Sequence, residues 1–320
     1  MHLNLRGSSP MVRFRLPLPA ILGLILLLTG CSSMNFRSAP AIETIKAARA
    51  GGGQMYRVPV MLSQVPETPN GHRLGALYLE SLVQAIENEN GRIDPLAPGE
   101  AGFPAFMAGM PKSVIGGTGA VADRAMQAAR QQGFQGVVLA AVTDLRFNNR
   151  NWGFLWFRRT NYYLTFGLTV DLYDPFTGAK LVSRLKETVL KIDADEYERL
   201  QEESVTEVEA LDEAMTDTAE EFGELVADQM ARQPWKASVT AVQNGTLRLA
   251  ADRDASLSPD GKVAIYEARR ELRNRFGQKF IVPGAKIAEA RIARVGDGFV
   301  EVVLEENADV KPGDIAVHVP

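Results

Sequence analysis

Residues 136–192 read GVVLAAVTDLRFNNRNWGFLWFRRTNYYLTFGLTVDLYDPFTGAKLVSRLKETVLKI, and the fold turns on how this stretch is read. Apolar or aromatic residues alternate at Tyr162, Leu164, Phe166, Leu168, Val170 and Leu172, the period of a strand with one buried face. A β-rich run from Phe134 to Phe147 precedes it. Another follows the turn Asp174-Pro175-Phe176-Thr177-Gly178, so a three-strand meander is expected. The alternating residues belong to sheet core. The connection from Asn148 to Arg159 does not fit that account, because it carries Trp152, Phe154, Trp156 and Phe157 among Arg150, Arg158 and Arg159. That is too apolar for an ordinary surface turn. Trp152, Phe154, Trp156, Phe157, Arg158 and Arg159 are therefore candidates for a partner or membrane contact, the alternative being packing on the chain's own acidic helix or barrel.

Working upstream, a long irregular loop from Pro95 to Gly119 and an Ala-rich helix from Ala120 to Gln132 lead into the meander. Before them stand a strand, Tyr56 to Leu62, and a helix, His72 to Glu89. The strand contains Pro59, which points to an edge or an initial position. The helix places Leu74, Leu77, Tyr78, Leu82, Ala85 and Ile86 on one face. Downstream, Asp193 to Arg232 recurs at helical spacing through Tyr197, Leu200, Val208, Leu211, Met215, Phe222, Val226 and Met230, with room for one break. Fifteen acids against two arginines in that segment make a solvated face or a docking surface for a basic partner.

Pro234 and Trp235 mark a boundary, after which the sequence repeats itself. Val239 to Leu249 aligns with Ile292 to Val302 at an offset of 53, and Ala255 to Pro259 meets Ala308 to Pro312 at the same offset. After a one-residue slip, Val263 to Tyr266 meets Ile315 to His318. Asn244-Gly245 and Asp297-Gly298 are hairpin turns. Two copies of strand–turn–strand–turn–strand are expected to close one small β-barrel, because a single copy cannot bury its apolar face. Pro283-Gly284 predicts a kink in the strand run between the copies.

The first thirty residues stand apart from any core. Arg6, Arg13 and Arg15 precede the apolar run Ala20 to Leu28, which is short for a bilayer span. Leu28-Thr29-Gly30-Cys31 follows and resembles the lipobox of bacterial lipoproteins, whose cysteine is cut and acylated; the alternative is a plain secretory signal. The resemblance implies a lipid anchor at Cys31. Ser32 after the cysteine, in place of aspartate, implies the outer membrane, with the protein facing the periplasm. Cys31 is the only cysteine, so no disulfide can form within the chain. Ser32 to Gln54, ending in Gly51-Gly52-Gly53, reads as a flexible tether.

Composition narrows the function. The whole chain carries −4, and without the three arginines of its first thirty residues it carries −7. An acidic chain without a basic stripe is a poor nucleic-acid binder. Gly117-Thr118-Gly119 imitates a dinucleotide fingerprint but follows a proline- and glycine-rich loop, so it reads as a helix entry. Asp252 to Val263 lacks the glycine and the glutamate of a calcium loop. His72 and His318 are far apart in sequence, and no nucleophile, phosphate-loop or zinc motif is present. A non-enzymatic protein without metal or cofactor is expected.

The Gly133-Phe134-Gln135-Gly136-Val137-Val138 entry to a strand, followed by Val170-Asp171-Leu172-Tyr173-Asp174 and Thr177-Gly178, resembles a family of periplasmic domains. That family is shared by the N-terminal part of TolB, the curli secretion lipoprotein CsgG, lipoprotein activators of penicillin-binding proteins, and the middle part of the flagellar assembly protein FlgT. The repeated C-terminal segment, with its Pro312-Gly313-Asp314 turn, is similar to the C-terminal domain of FlgT-like proteins. The resemblance covers Arg57 to Pro320. It implies an α+β fold: a TolB-N/CsgG-like α/β sandwich domain over 55–233, then a small β-barrel with an internal repeat over 234–320, after a signal peptide (1–30) and a lipidated tether (31–54). It further implies an assembly or scaffold role with envelope partners, foremost proteins of an outer-membrane flagellar ring, and a homo-oligomeric ring is compatible with it. A peptidoglycan-synthase activator and a CsgG-like secretion component are the alternatives.

Overall fold

The computed structural model of the chain describes residues 56–89, 92–108, 119–154, 156, 159–201, 209–251, 257–268, 270–275 and 278–319. Cys31, Phe157 and Arg158 lie outside the described residues, as do the signal and tether segments and the glycine motif at 117–118. Strands β1 (Tyr56–Gln64), β2 (Ile93–Leu96), β3 (Val137–Trp152), β4 (Arg159–Tyr173) and β5 (Lys180–Ile192) form one sheet in the order β2-β1-β3-β4-β5. β1 is parallel to β2 and β3, and β3, β4 and β5 make the expected antiparallel meander. Helix α1 (Pro69–Glu89) joins β1 to β2. The short α2 (Ala105–Ala108) and then α3 (Gly119–Gln131) lead to β3, and α4 (Ala194–Gln201) and α5 (Glu209–Ala231) follow β5.

The period-2 pattern of β4 decides the packing. Leu164, Phe166, Leu168, Val170 and Leu172 share one core with Tyr78, Leu82 and Ile86 of α1 and Met215, Phe222 and Val226 of α5. The helices come close where Gly223 faces Ala85; a Cβ on Gly223 would lie 2.8 Å from that of Ala85. Residues of opposite parity, Val137 and Tyr173, belong to a second cluster with Met126 and Ala129 of α3. One face of the sheet is thus covered by α1 and α5, and α3 covers the other beside β3, while Leu185 and Val189 of β5 stay exposed on that second face. Helix α4 starts at a reciprocal cap, in which the Glu196 amide donates to Asp193 Oδ1 (2.7 Å) and the Asp193 amide donates to Glu196 Oε2 (3.0 Å).

Three expectations need correction. β1 lies inside the sheet, not at an edge. Pro59 is tolerated because it pairs with Leu96 at the end of the short β2, while pairing with β3 begins one residue later, at Val60. The segment from Pro95 to Gly119 is not wholly irregular, since β2 and α2 take part of it. The span from Asn148 to Arg159 is shorter as a turn than it reads, because β3 and β4 continue their pairing out to Trp152 and Arg159.

The second half is a closed barrel of six strands in the order β11-β12-β7-β6-β13-β8, every neighbouring pair antiparallel. The first copy of the repeat supplies β6 (Lys236–Gln243), β7 (Thr246–Ala250) and β8 (Lys262–Tyr266). The second supplies β11 (Lys286–Gly296), β12 (Phe299–Leu304) and β13 (Ile315–Val319). Between them the sequence hid a small separate ribbon, β9 (Arg270–Arg273) with β10 (Lys279–Val282). The copies are interlocked: β13 of the second pairs with β6 of the first, and β8 of the first with β11 of the second. Neither copy can close alone.

The internal symmetry reaches individual residues. Val239 pairs with Leu249 and Ile292 with Val302, and each hairpin then skips one residue before resuming at Ala241–Arg248 and Arg294–Glu301. The same bulge, at the same repeat position, bends both hairpins into the barrel wall. Across the β7–β12 seam Leu247 faces Val302 and Leu249 faces Val300, so each copy meets its own equivalent residues. All four side chains are buried. The first hairpin turn has Asn244 at φ 49° and Gly245 at φ 80°, the two left-handed residues that a two-residue hairpin loop favours.

Candidate interaction sites at the two ends of β4

At its N-terminal end β4 leaves the body of the sheet. Its pairing with β5 stops at Tyr162–Ile192, whereas its pairing with β3 continues through Arg150–Asn161 and Asn151–Thr160 to Trp152–Arg159. Beyond Ile192 the sheet is therefore a two-stranded ribbon, and three residues of β3 carry it about 10 Å further. At its end Trp152 is 73%, Phe154 79% and Trp156 79% exposed, so the body of the protein does not cover them. Arg159 and Arg150 are also exposed, the latter 5.8 Å from the Tyr163 ring centre. The base of the ribbon is fixed by Tyr162, whose ring centre is 4.5 Å from that of Tyr197 in α4, and by Phe147, edge-on to Tyr197 at 6.3 Å. The exposed tip thus stands on an aromatic footing.

At its C-terminal end β4 enters the Asp174–Gly178 turn, and this turn docks the barrel. Phe176 is fully buried in a cluster with Ala264, Tyr266, Ile315 and Val317 of the barrel. Asp174 accepts hydrogen bonds from the Phe176 amide (2.9 Å) and the Thr177 hydroxyl (2.8 Å), which shape the turn. Its Oδ2 also meets Lys236 Nζ of β6 at 2.8 Å, with both side chains at most 10% exposed. Burial alone would push the Asp174 carboxyl up. The Lys236 charge and the hydrogen bonds from Lys236, the Phe176 amide and Thr177 outweigh burial and hold it below the usual carboxylate range. Gln135 closes the junction: its amide oxygen accepts from the Lys236 backbone N–H and its amide nitrogen donates to the Lys236 carbonyl, both at 2.9 Å. β10 of the separate ribbon adds a backbone hydrogen bond from the Ile281 N–H to the Thr177 carbonyl at 2.9 Å.

Of the residues nominated by sequence, the structure brings Trp152, Phe154, Trp156 and Arg159 together at the ribbon tip. Sequence reading missed the role of Asp174, Phe176, Lys236 and Gln135, which it took for a plain turn and flanking residues. The turn itself was legible from Asp-Pro and Thr-Gly. Its partner 62 residues away left no local signal. Among the described residues no group of three or more His, Cys, Asp or Glu side chains could hold a metal ion. No helix among them is long and apolar enough to cross a membrane.

No family model matches the chain. No curated protein matches it either. Several solved structures share a weak likeness. The PelC dodecamer from Paraburkholderia phytofirmans is 15% identical, covering 56% of this chain and 90% of that one with a TM-score of 0.32. A minor lipoprotein from Acinetobacter baumannii is 11% identical over 54% of this chain and 92% of that one, with a TM-score of 0.27. The lipoprotein GNA1162 from Neisseria meningitidis is 13% identical over 46% and 93%, with a TM-score of 0.30. Scores this low assign neither fold nor function to the present chain. Its architecture rests on its own strand order and barrel closure.

Proposed function

We propose that this chain is a lipid-anchored, periplasm-facing assembly protein of the bacterial envelope, held to the outer membrane at Cys31 and engaging its surroundings through the aromatic ribbon tip. One observation carries the reading. Three large aromatic side chains are about three-quarters exposed at the end of a ribbon whose base is firmly packed. Exposing that much apolar surface opposes solubility, and a contiguous exposed apolar group marks a contact. The Leu28-Thr29-Gly30-Cys31 ending supports the anchor, and the absence of any cluster nominating a reaction among the motifs of the sequence supports a scaffold rather than a catalyst.

The finer reading is a component of a ring around the flagellar basal body. It draws on the order of the Gly133–Val138 entry, the Val170–Gly178 segment and the repeated barrel. A pore-forming secretion role is less favoured, because Asn148, Asn149, Arg150 and Asn151 interrupt the alternating apolar face that a membrane-crossing strand of about nine to eleven residues needs. Two experiments separate the levels. Deleting the gene and imaging basal bodies tests the flagellar form; intact rings with normal swimming would refute it. Replacing Trp152 and Trp156 with serine tests the tip; unchanged assembly of the folded variant in cells would refute the contact.

A further inference from the structure

We infer that the occupant of the ribbon tip is the headgroup layer of an anionic phospholipid bilayer, entered by Trp152, Phe154 and Trp156 and gripped at the phosphates by Arg150 and Arg159. This rests on the reading of the chain as a lipid-anchored protein whose tip is a contact, and names what the tip contacts.

Charge favours lipid over a protein groove. Residues 145–170 contain four arginines and no carboxylate, in a chain whose net charge is −4. Arg146 pairs with Asp144 and Glu187, which leaves Arg150 and Arg159 as the exposed cations of the ribbon among the described residues. The local excess of positive charge coincides with the local excess of exposed aromatic surface. Tryptophan beside arginine is the pairing that suits a bilayer interface: the indole bridges apolar and wet layers, and the guanidinium reaches phosphate. The shape agrees. The exposed aromatics stand at the end of a two-stranded ribbon, which can enter a soft headgroup layer without a complementary cavity.

The protein's own acids do not cancel this. Asp193, Asp195, Glu196 and Glu198 stand near the ribbon base, because Asp193 follows the last β5 residue paired with Tyr162. Trp152 lies about 10 Å beyond that level, which exceeds the Debye length of about 8 Å at physiological salt. A surface touched by the tip is therefore largely screened from those carboxylates, while Arg159 pairs with Trp152 at the tip and Arg150 stands two residues below it.

The tether permits this geometry and defines an orientation. β1 begins at Tyr56, four residues below the Val60–Val138 pair, whereas Trp152 lies fourteen residues above it. Allowing for the bulge in β3, anchor exit and aromatic tip are about 55 Å apart along the sheet. The 25 residues from Cys31 to Tyr56 span at most about 85 Å when extended. That length exceeds the separation of Tyr56 from the tip, so an anchored molecule can stand with its tip in the membrane. The barrel, docked on the other end of β4, then points away from the bilayer.

The test uses the mature acylated protein reconstituted through its own anchor into vesicles of phosphatidylglycerol and phosphatidylethanolamine containing brominated acyl chains. Trp152 and Trp156 fluorescence should be quenched, while buried Trp235 supplies the unquenched background. The quenching should vanish in Trp152→Ser/Trp156→Ser. It should fall roughly tenfold in Arg150→Gln/Arg159→Gln, or when phosphatidylcholine replaces the anionic lipid. Unquenched wild-type protein, or quenching that survives the double serine change, overturns the inference. If wild-type protein is unquenched and the serine variant still fails to assemble in cells, the tip binds a protein: the lipid assignment falls and the proposed function stands. Mass spectrometry of the same preparation reads acylation, and an unmodified Cys31 would remove the anchored reading and the inference together.

Discussion

Strand β4 ends in two turns of similar raw material and opposite fate. Each carries aromatic and charged residues beside glycine, yet Phe176 is fully buried at one end while Phe154 is 79% exposed at the other. The difference lies in what each end meets. The Asp174–Gly178 turn meets the barrel, which offers an apolar recess for Phe176 and a lysine for Asp174. The Trp152–Arg159 tip outruns β5, and its Trp152, Phe154 and Trp156 stay about three-quarters exposed. Aromatic residues at a turn are thus no guide to role by themselves; one set joins two halves of a molecule and the other is left for something outside it.

Mutations should break this comparison in a graded way. Phe176→Ala removes the plug and leaves a cavity at the junction, with an expected loss of about 3–5 kcal/mol in chemical denaturation. Asp174→Asn leaves the Lys236 charge buried without a counter-charge and should cost about 3 kcal/mol at pH 7. Its pH dependence sharpens the assignment. Because the folded carboxyl titrates below its unfolded value of about 3.9, the contribution of Asp174 is complete above that pH and is lost as pH falls through the folded value. The stability gap between wild type and Asp174→Asn should therefore narrow below about pH 4, as urea midpoints measured across that range would show.

Gly178→Ala should act on the same end more weakly. Its φ is +71° and an added Cβ would lie 2.7 Å from the Lys279 carbonyl oxygen, so a cost of about 1–3 kcal/mol is expected from thermal or urea unfolding. At the opposite end, Trp152→Ser/Trp156→Ser should change stability by no more than about 0.5 kcal/mol, because both side chains are about three-quarters exposed. A large destabilisation there would mean that the tip is part of the core after all. The expected contrast is a junction whose mutants unfold and a tip whose mutants fold and fail to assemble.

Much of the architecture was open to sequence reading because period and repeat are local. Alternation through Tyr162–Leu172 marks which face of β4 is buried, and an offset of 53 residues pairs Val239 with Ile292 and Leu247 with Val300 within the sequence itself. The two copies do form one closed barrel. The readings that failed depended on neighbours. Pro59 suggested an edge or an initial position because a proline cannot donate to a ladder, but it stands inside β1, where the ladder changes partner and pairing with β3 begins at the next residue. Asn148 to Asn151 read as part of the aromatic connection, but cross-strand pairing with Thr160 to Tyr163 continues there.

The sequence by itself determined the strand periods, the helix faces, the barrel's internal symmetry and the aromatic, arginine-rich character of residues 150–159, because each is written in residues close together or related by a constant spacing. Only the tertiary structure decided that the barrel strands interlock, that Lys236 reaches Asp174, and that Phe176 is hidden while Trp152 and Trp156 stand in the open. The physical reason is that burial and ion pairing belong to pairs of surfaces. A side chain's chemistry is set by its own sequence position, but whether water is removed from it depends on residues that the chain brings back from far away.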